Sequence, residues 1–451
     1  MTRARQDGLC LLLLGSVVFL LLGTVMERSS VISMVDFKAV YYGAKCLVQH
    51  RDPYEQGEIL RVYQADGGGF PSDPINSRLV HEAVLVFVNL PTTLLFLAPF
   101  TALAFGPAHL LWISLIDASL IVASLLIWDI GADFAPVLSG ALIGILLANS
   151  EVLVMVGNTA GIVTSLCVVA VWCFLRHRFA LIGILCLAVG MAIKPHDAVL
   201  VWLFFLLSGK VYRKRALQTL FAVAVFSLTA FLWAWHVAPH WIQELQSNLL
   251  ATSASGAIND PALASQGQHA LGMIINLQSA ISVLWDDPRI YNPASYLLIA
   301  PLLLIWALVT LCFRSSPARA FLALAAIAAL SMLPTYHRPY DAKLLLLTVP
   351  ACAMLWAEGG LIGRLALAVN AAGFLVTGDH LWIALQALAG KFHFSAPGMA
   401  ERLQTAMWVF PAPLILLVMG AFYLWVYVRR SSAQDINANG LGAMPEAPES
   451  S

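Results

Sequence analysis

The chain has 451 residues, of which 60% are hydrophobic and only 11% are charged, and its mean hydropathy is +0.81. Soluble globular proteins carry about 25% charged and about 45–50% apolar residues, so this composition excludes a soluble enzyme, a disordered chain, a coiled coil and a nucleic-acid binder. Lysine and arginine together number 25, as do aspartate and glutamate, and the zero net charge gives no general attraction to polyanions.

Long apolar runs separated by short polar segments predict an all-α membrane protein that crosses the bilayer several times. A spanning helix needs about 20 mostly apolar residues, and continuous runs exclude a β-barrel of alternating polarity. We count about twelve spans, an even number because both termini are expected in the cytoplasm. Their approximate ranges are 10–26, 83–104, 108–128, 134–149, 157–175, 180–208, 216–236, 295–313, 320–334, 344–357, 365–386 and 406–428.

Basic residues set the expected orientation of these spans. Arg3 and Arg5 precede the first run, and no small-residue cleavage site follows it, which indicates a retained signal-anchor helix with a cytoplasmic N-terminus. Two larger loops, about 27–82 and 237–294, then face the external or periplasmic side of the cell membrane. Residues 1–430 would form one transmembrane domain, and the polar residues 431–451 a disordered cytoplasmic tail.

One basic cluster conflicts with this count. Arg176-His177-Arg178 would lie outside, whereas Lys210–Arg215, the densest basic cluster, is expected inside. Either a segment between 134 and 208 is re-entrant, or the three residues face an external anionic ligand. Both alternatives stay open at the level of sequence.

The first external loop begins with a helical pattern. Apolar residues follow the i, i+3, i+4, i+7 spacing of an amphipathic helix, which we expect to lie in the membrane interface. They are Phe37, Val40, Tyr41, Ala44, Leu47 and Val48. Asp36 stands at the N-terminal end of this helix. Spacing alone leaves two interpretations of Asp36 open, a helix N-cap or a carboxylate held at headgroup depth beside a site between membrane and water.

Several short motifs now become recognisable. Asp36-Phe37, Tyr41-Tyr42 and Arg51-Asp52-Pro53-Tyr54 together resemble the opening signature of glycosyltransferase family 87, the DUF2029 group. Later segments also resemble this family, and the similar segments span most of residues 1–345. They are Asn89-Leu90-Pro91 through Pro99, Gly157-Asn158 where the family often has Gly-Gln, Ile193-Lys194-Pro195, and Leu333-Pro334 through Tyr340.

The resemblance implies a GT-C fold and a membrane glycosyltransferase. Such an enzyme would move a hexose, with mannose favoured, from a polyprenyl-phosphate carrier to an external lipid or glycan acceptor, with inversion at the anomeric carbon. Asp36 matches the position of the family's general base, which would take the proton of the acceptor hydroxyl. Asn158 would line the same site.

The leaving phosphate requires cationic donors. Lys194 lies in an apolar run, where a charge is costly, and we predict that it binds the donor phosphate together with His337 and Arg338. Alternatively, Lys194 could pair with Asp197, and Arg338 could form a local pair in a solvated turn.

Further candidates are less specific. Tyr336 and Tyr340 could stack on the sugar or anchor at the interface, and Lys45 could contact substrate from the polar face of its helix. Asp286 and Asp287 are rival acids. The absence of an Asp-x-Asp motif favours a reaction without a metal or other cofactor.

Two functions of other types remain as alternatives. A transporter or flippase of lipid-linked sugars would show interrupted helices in two matching halves, which this sequence lacks. An O-antigen ligase or polymerase would have its dominant loop later in the chain. We therefore expect an enzyme that works among membrane lipids and binds no nucleic acid.

Overall fold

The computed structural model describes residues 1–262, 274–312, 316–380, 384 and 398–441. Within these ranges the chain forms α-helices and two 3-10 segments, Ala98–Ala102 and Asp341–Thr348, with no β-strand. This confirms the all-α prediction. We number the helices α1 Arg3–Ser29, α2 Val35–Val48, α3 Gln56–Ala65, α4 Pro74–Leu85, α5 Pro91–Leu97, α6 Phe105–Gly131, α7 Pro136–Leu147, α8 Glu151–Val156, α9 Ala160–Leu175, α10 Ala180–Ile193, α11 Pro195–Leu207, α12 Lys210–Val237, α13 Trp241–Ser253, α14 Leu277–Ser282, α15 Pro288–Cys312, α16 Pro317–Leu330, α17 Val349–Glu358, α18 Gly360–Val376, α19 Met399–Val409 and α20 Pro411–Leu441.

Five helices of the described chain are long and apolar enough to cross a membrane: α1, α6, α12, α15 and the first part of α20. Seven shorter apolar helices accompany them. Large apolar side chains cover the outer surface of the long helices; Leu14, Phe221 and Leu297 are 62%, 72% and 75% exposed. Such side chains are stable against lipid rather than water, so the protein is a multi-pass membrane protein.

Glycines bring α1 and α7 into direct backbone contact. A Cβ atom built on Gly15 would lie 2.4 Å from the Cα atom of Gly144, and one built on Gly140 would lie 1.9 Å from the carbonyl oxygen of Gly8. Small residues allow helices to approach closely in membranes, where packing rather than the hydrophobic effect drives association. The opening helix is therefore fixed against the bundle that carries the site.

Several basic residues lie at one end of the bundle, which we call the basic face, and some of them form ion pairs there. Arg5 and Arg176 both pair with Asp133, each at 2.8 Å. At the same end, a cavity of about 660 Å³ is lined by Arg176, Lys210 and Ser316, among others. The guanidinium of Arg319 donates to the carbonyl oxygen of Ser431 at 2.8 Å. The start of α1 and the end of the last spanning segment thus lie at the same face.

The prediction of a single span over 180–208 is wrong. Pro195 has no N–H to continue a helix, and the chain breaks at Lys194 between α10 and α11. Leu175 and Leu207 line the same cavity at the basic face, so α10 leaves this face and α11 returns to it. Lys194 therefore lies at the tip of a helical hairpin, and the Arg176 turn shares a face with Lys210, which resolves the conflict in favour of an interrupted segment.

The predicted span 83–104 is also wrong. The hydroxyl of Tyr54 donates to the carbonyl of Asn89, and that of Tyr41 to the carbonyl of Leu103, so both ends of this segment contact the first loop. Helix α5 and the 3-10 segment after it together cover only Pro91–Ala102, fewer than the about 20 residues that a span needs. This predicted crossing is therefore lost, whereas the α10–α11 hairpin adds one.

Two boundaries near the C-terminus differ from expectation. The last span begins at Pro411 rather than near 406, because Phe410 separates α19 from α20. Helix α20 continues to Leu441, beyond the domain boundary expected at Arg430. The remainder of the expected tail, 442–451, lies outside the described residues, as does most of the predicted run beyond 380.

Candidate active site

Asp36 lies in the first turn of α2, at the face opposite the basic face. The N-cap of α2 is Met34, in a left-handed conformation, so the N-cap interpretation of Asp36 is wrong. The backbone N–H of Met34 donates to the carbonyl of Met155 at 2.7 Å, which ties the start of α2 to α8. The carboxylate of Asp36 is therefore held by tertiary contacts rather than used to start its own helix.

Helix α2 is buried against other parts of the protein on more than one side. Tyr41 and Tyr42, which are neighbours in the chain and point in different directions from the helix, are 0% and 3% exposed. Phe37 stacks on Trp112 with a ring-centroid distance of 5.0 Å. The loop helices and α6 surround α2, and its position in the plane of the membrane interface stays a prediction. This packing fixes the direction of the Asp36 side chain.

Asn158 orients the Asp36 carboxylate. Its side-chain amide donates to Oδ2 of Asp36 at 2.7 Å, and its own Oδ1 accepts from the backbone N–H of Ala160 at 2.8 Å. The second bond fixes which way the amide points, so its NH2 group faces the carboxylate. Gly157 makes this turn possible, with φ +67° and a position where a Cβ would meet Met34 at 2.7 Å. Among described residues, Oδ1 of Asp36 accepts no hydrogen bond and remains available to a substrate.

The surroundings of Asp36 favour its protonated form overall. Burial raises the pKa of this carboxyl above its usual value, and the Asn158 hydrogen bond and the charges of Arg338 and Lys194 oppose the increase. A raised carboxyl pKa brings a base closer to neutral pH, where proton transfer is most efficient. The electrostatic reach of Arg338 and Lys194 also shows that the fold brings these three residues together.

Lys194 is paired rather than free. At the hairpin tip its ammonium donates to Asp341 and lies 3.3 Å from Asp197, and it stands 5.4 Å from the ring centroid of Tyr340. The pairing with Asp197, which the sequence left as an alternative, is therefore present. Asp341 is a second buried partner of Lys194, whereas the alternative left open by the sequence was a local ion pair of Arg338 in this turn. Instead, Asp341 accepts from the backbone N–H of Arg338 at 2.7 Å.

Arg338 has a different environment. Its guanidinium donates to the hydroxyl of Tyr336 and, at 2.9 Å, to the carbonyl of Ile258 in the second loop. Across the described part of the chain, no carboxylate lies within ion-pair distance of it. Both partners are neutral, so the arginine keeps an uncompensated charge beside Asp36. An arginine in this state suits a bidentate phosphate ligand.

His337 lies behind the pocket. Its side chain is 1% exposed, and its Nε2 atom lies 3.2 Å from Oδ1 of Asp197. The predicted direct contact of His337 with the donor phosphate does not fit this burial. Asp197 and His196, which the sequence did not single out as site residues, complete the cluster around it.

The remaining candidates separate into two groups. Tyr336 and Tyr340 lie beside Arg338 and Lys194, within the pocket walls. Lys45 instead pairs with Asp66, nine residues and about 13 Å along α2 from Asp36. The rival acid Asp286 is exposed in the turn before α15, and neither it nor Asp287 influences Asp36 electrostatically.

Comparison with known proteins agrees with this architecture. A profile of glycosyltransferase family 87 matches residues 87–335, a range that includes Asn158 and Lys194. No curated protein and no solved structure shows significant similarity to the chain. The matched range exceeds half of the sequence, and the protein therefore belongs to glycosyltransferase family 87 and is a membrane glycosyltransferase.

Proposed function

We propose that the protein transfers a hexose from a polyprenyl-phosphate donor to a lipid or glycan acceptor, with Asp36 as general base and inversion at the anomeric carbon. The observation that carries the proposal is that two groups lie close enough to interact electrostatically: the half-buried carboxylate of Asp36, with one oxygen free of hydrogen bonds in the described structure, and the guanidinium of Arg338, which has no ion-pair partner there. The choice of mannose and of a GT-C architecture rests on the family resemblance of the sequence motifs.

The transfer step uses both groups. The hydroxyl oxygen of the acceptor bonds to the anomeric carbon while Asp36 takes the hydroxyl proton. At the same time, the bond from the anomeric carbon to the phosphate oxygen breaks. The polyprenyl phosphate leaves with the bonding electron pair. Arg338 stabilises the negative charge that develops on this oxygen, assisted by the ammonium of Lys194. Attack opposite the leaving group accounts for inversion.

Location supports a lipid-linked donor. The pocket lies where α2, the α10–α11 tip and the Arg338 turn meet, at the ends of spanning helices. A polyprenyl chain could remain in the bilayer while its phosphate reaches this level. We assign the pocket to the external face of the cell membrane, because the opposite face carries the basic clusters that are typical of cytoplasmic ends.

Substitution of Asp36 by asparagine tests the proposal. Loss of a positioned general base lowers rates by about 10² to 10⁴-fold, so we expect Asp36→Asn to lose sugar transfer from radiolabelled polyprenyl-phosphate mannose while remaining folded and membrane-inserted. Asp286→Asn is the matched control, because it makes the same change in an exposed turn of the second large loop. Near-normal turnover of Asp36→Asn would refute the assignment of the base.

A further inference from the structure

Behind Arg338, three potential metal ligands converge on one point. His196 and Asp197 come from the first turn of α11, and His337 comes from the turn before the second 3-10 segment. One ligand atom from each lies within 4.8 Å of the others. The fold thus joins residues that are 141 positions apart in the chain (337 − 196), which no sequence motif could reveal.

These ligand atoms contact charged neighbours but lack well-formed hydrogen bonds. Nε2 of His196, both carboxylate oxygens of Asp197 and Nε2 of His337 are buried and form no hydrogen bond of acceptable geometry with the described residues, although Lys194 and His337 lie within ion-pair distance of Asp197. Asp197 and His337 are 2% and 1% exposed. Leaving several buried polar atoms without hydrogen bonds in one place is costly. A bound ion would satisfy all three side chains at once.

The distances between these ligand atoms are close to those between the ligands of a bound metal ion. Oδ1 of Asp197 lies 3.2 Å from Nε2 of His337 and 3.6 Å from Nε2 of His196. Ligands about 2.1 Å from a metal stand roughly 3.0–3.4 Å apart in octahedral or tetrahedral geometry. Two imidazoles and one carboxylate form a ligand set used by divalent transition metals, with positions left open for further ligands.

One oxygen of Asp197 is turned towards both imidazoles. The ammonium of Lys194 approaches Oδ2 of Asp197, which leaves Oδ1 to the two histidines. Oδ1 is therefore placed to share one ion with Nε2 of His196 and Nε2 of His337.

We propose that His196, Asp197 and His337 bind one divalent transition-metal ion, such as Zn²⁺ or Mn²⁺, beside the Lys194–Asp341 pair. This part of the inference rests on the proposed function: the ion adds positive charge near the donor phosphate. The His196 side chain is 38% exposed, which gives the ion a path from solvent. The sequence-based expectation of a site without metal relied on the missing Asp-x-Asp motif, which describes a different ligand arrangement.

Metal binding can be measured without any transfer assay. The full chain would be purified in detergent with an affinity tag free of histidine, in a Cys10→Ser, Cys312→Ser background that removes the two exposed thiols. After chelator treatment, Zn²⁺ or Mn²⁺ would be added by equilibrium dialysis and counted by mass spectrometry. We expect one ion per chain, with affinity lowered at least about tenfold in His196→Gln and His337→Gln. His236→Gln, at an exposed helix end, is the control and should bind normally.

Two results would overturn the proposal: no stoichiometric binding by the parent chain, or binding that His196→Gln and His337→Gln leave unchanged. His196 is partly exposed, so His196→Gln serves if His337→Gln does not fold. Asp36→Asn should bind the ion normally yet fail in transfer. Full transfer by metal-free protein would reject the role of the ion at the donor phosphate and leave the proposed function intact. Metal binding by a chain that is inactive with every sugar donor would instead reject the proposed function and leave the metal site intact.

Discussion

Asp36 depends on a single amide for its orientation. Asn158 binds one carboxylate oxygen and is itself fixed by the N–H of Ala160, so the free oxygen of Asp36 points in one direction. The same hydrogen bond stabilises the charged form of Asp36 and partly offsets the effect of burial on its pKa. Asn158 therefore affects both the geometry and the ionisation of the proposed base.

Removing this amide should change the pH dependence of transfer. In Asn158→Ala the hydrogen bond that lowers the pKa of Asp36 is lost, so the pKa rises further. Transfer needs the ionised carboxylate, and activity falls as the pH drops through this pKa. The acid limb of a kcat/KM profile should therefore move to higher pH in the variant.

Asn158→Gln is the informative companion, because it retains the amide on a longer side chain and introduces the residue that the family often has here. We expect it to keep the acid limb closer to that of the unsubstituted protein. Coincident acid limbs in Asn158→Ala and the unsubstituted protein would mean that Asp36 does not control the profile.

Arg338 offers a second test at the scale of one residue. Arg338→Lys preserves the charge but not the paired N–H groups, and Arg338→Ala removes both. We expect donor KM to rise in both variants, more in the alanine variant, with acceptor KM little changed. The measurement is initial rate against each substrate in turn, and an equal effect on the two substrates would contradict phosphate binding.

The α10–α11 hairpin is the element that brings charge into the site. A helix that stops at Ile193 leaves carbonyl groups without helical partners, and two hydroxyls from α5 bind them. Thr92 donates to the carbonyl of Ala192, and Thr93 donates to that of Ile193 at 2.9 Å. The short helix α5, which does not span the membrane, thus supports the position of Lys194.

Thr93→Val should loosen this support. The variant keeps the shape of the side chain but leaves a buried carbonyl unsatisfied, which costs about 1–3 kcal/mol. We expect a lower melting temperature in detergent together with a higher donor KM. Thr101→Val, which removes a local hydroxyl bond in the partly buried 3-10 segment, is the control. Unchanged stability in Thr93→Val would show that the hairpin tip does not need α5.

Over the whole molecule, charge is divided between two ends. The basic face gathers Arg5, Arg176, Lys210 and Arg430, and the opposite end carries the pocket. This separation is the basis of the proposed orientation, in which the most basic end meets the cytoplasm. It also places the pocket beside the large loop that contains Asp36.

Cysteine labelling would test this arrangement. In a chain without its native cysteines, Arg178→Cys should react with a membrane-impermeant maleimide only from the cytoplasmic side, because its turn adjoins Lys210. Gln64→Cys, exposed in the first loop, should react only from the outside. Labelling of both positions from one side would contradict the α10–α11 hairpin.

Local patterns determined much of this protein. Continuous apolar runs predicted a helical membrane protein because each spanning helix must satisfy its own backbone hydrogen bonds. Short motifs around Asp36, Asn158, Lys194 and Arg338 predicted a glycosyltransferase, which the family comparison confirmed, whereas the roles of these four residues stay predictions. These features can be predicted from the sequence because helix length and motif spacing depend on residues that are close together in the chain.

Other features were decided only by the tertiary structure. The apolar run 180–208 has 29 residues, and its composition fits either a single crossing or a hairpin. Only its packing against α9 and α12 shows that it forms a hairpin. The pairing of Lys194 with Asp341, the burial of His337 beside Asp197 and the free charge of Arg338 depend on contacts between distant segments. Sequence names the charged side chains, but their energies depend on the partners and burial that the folded bundle provides.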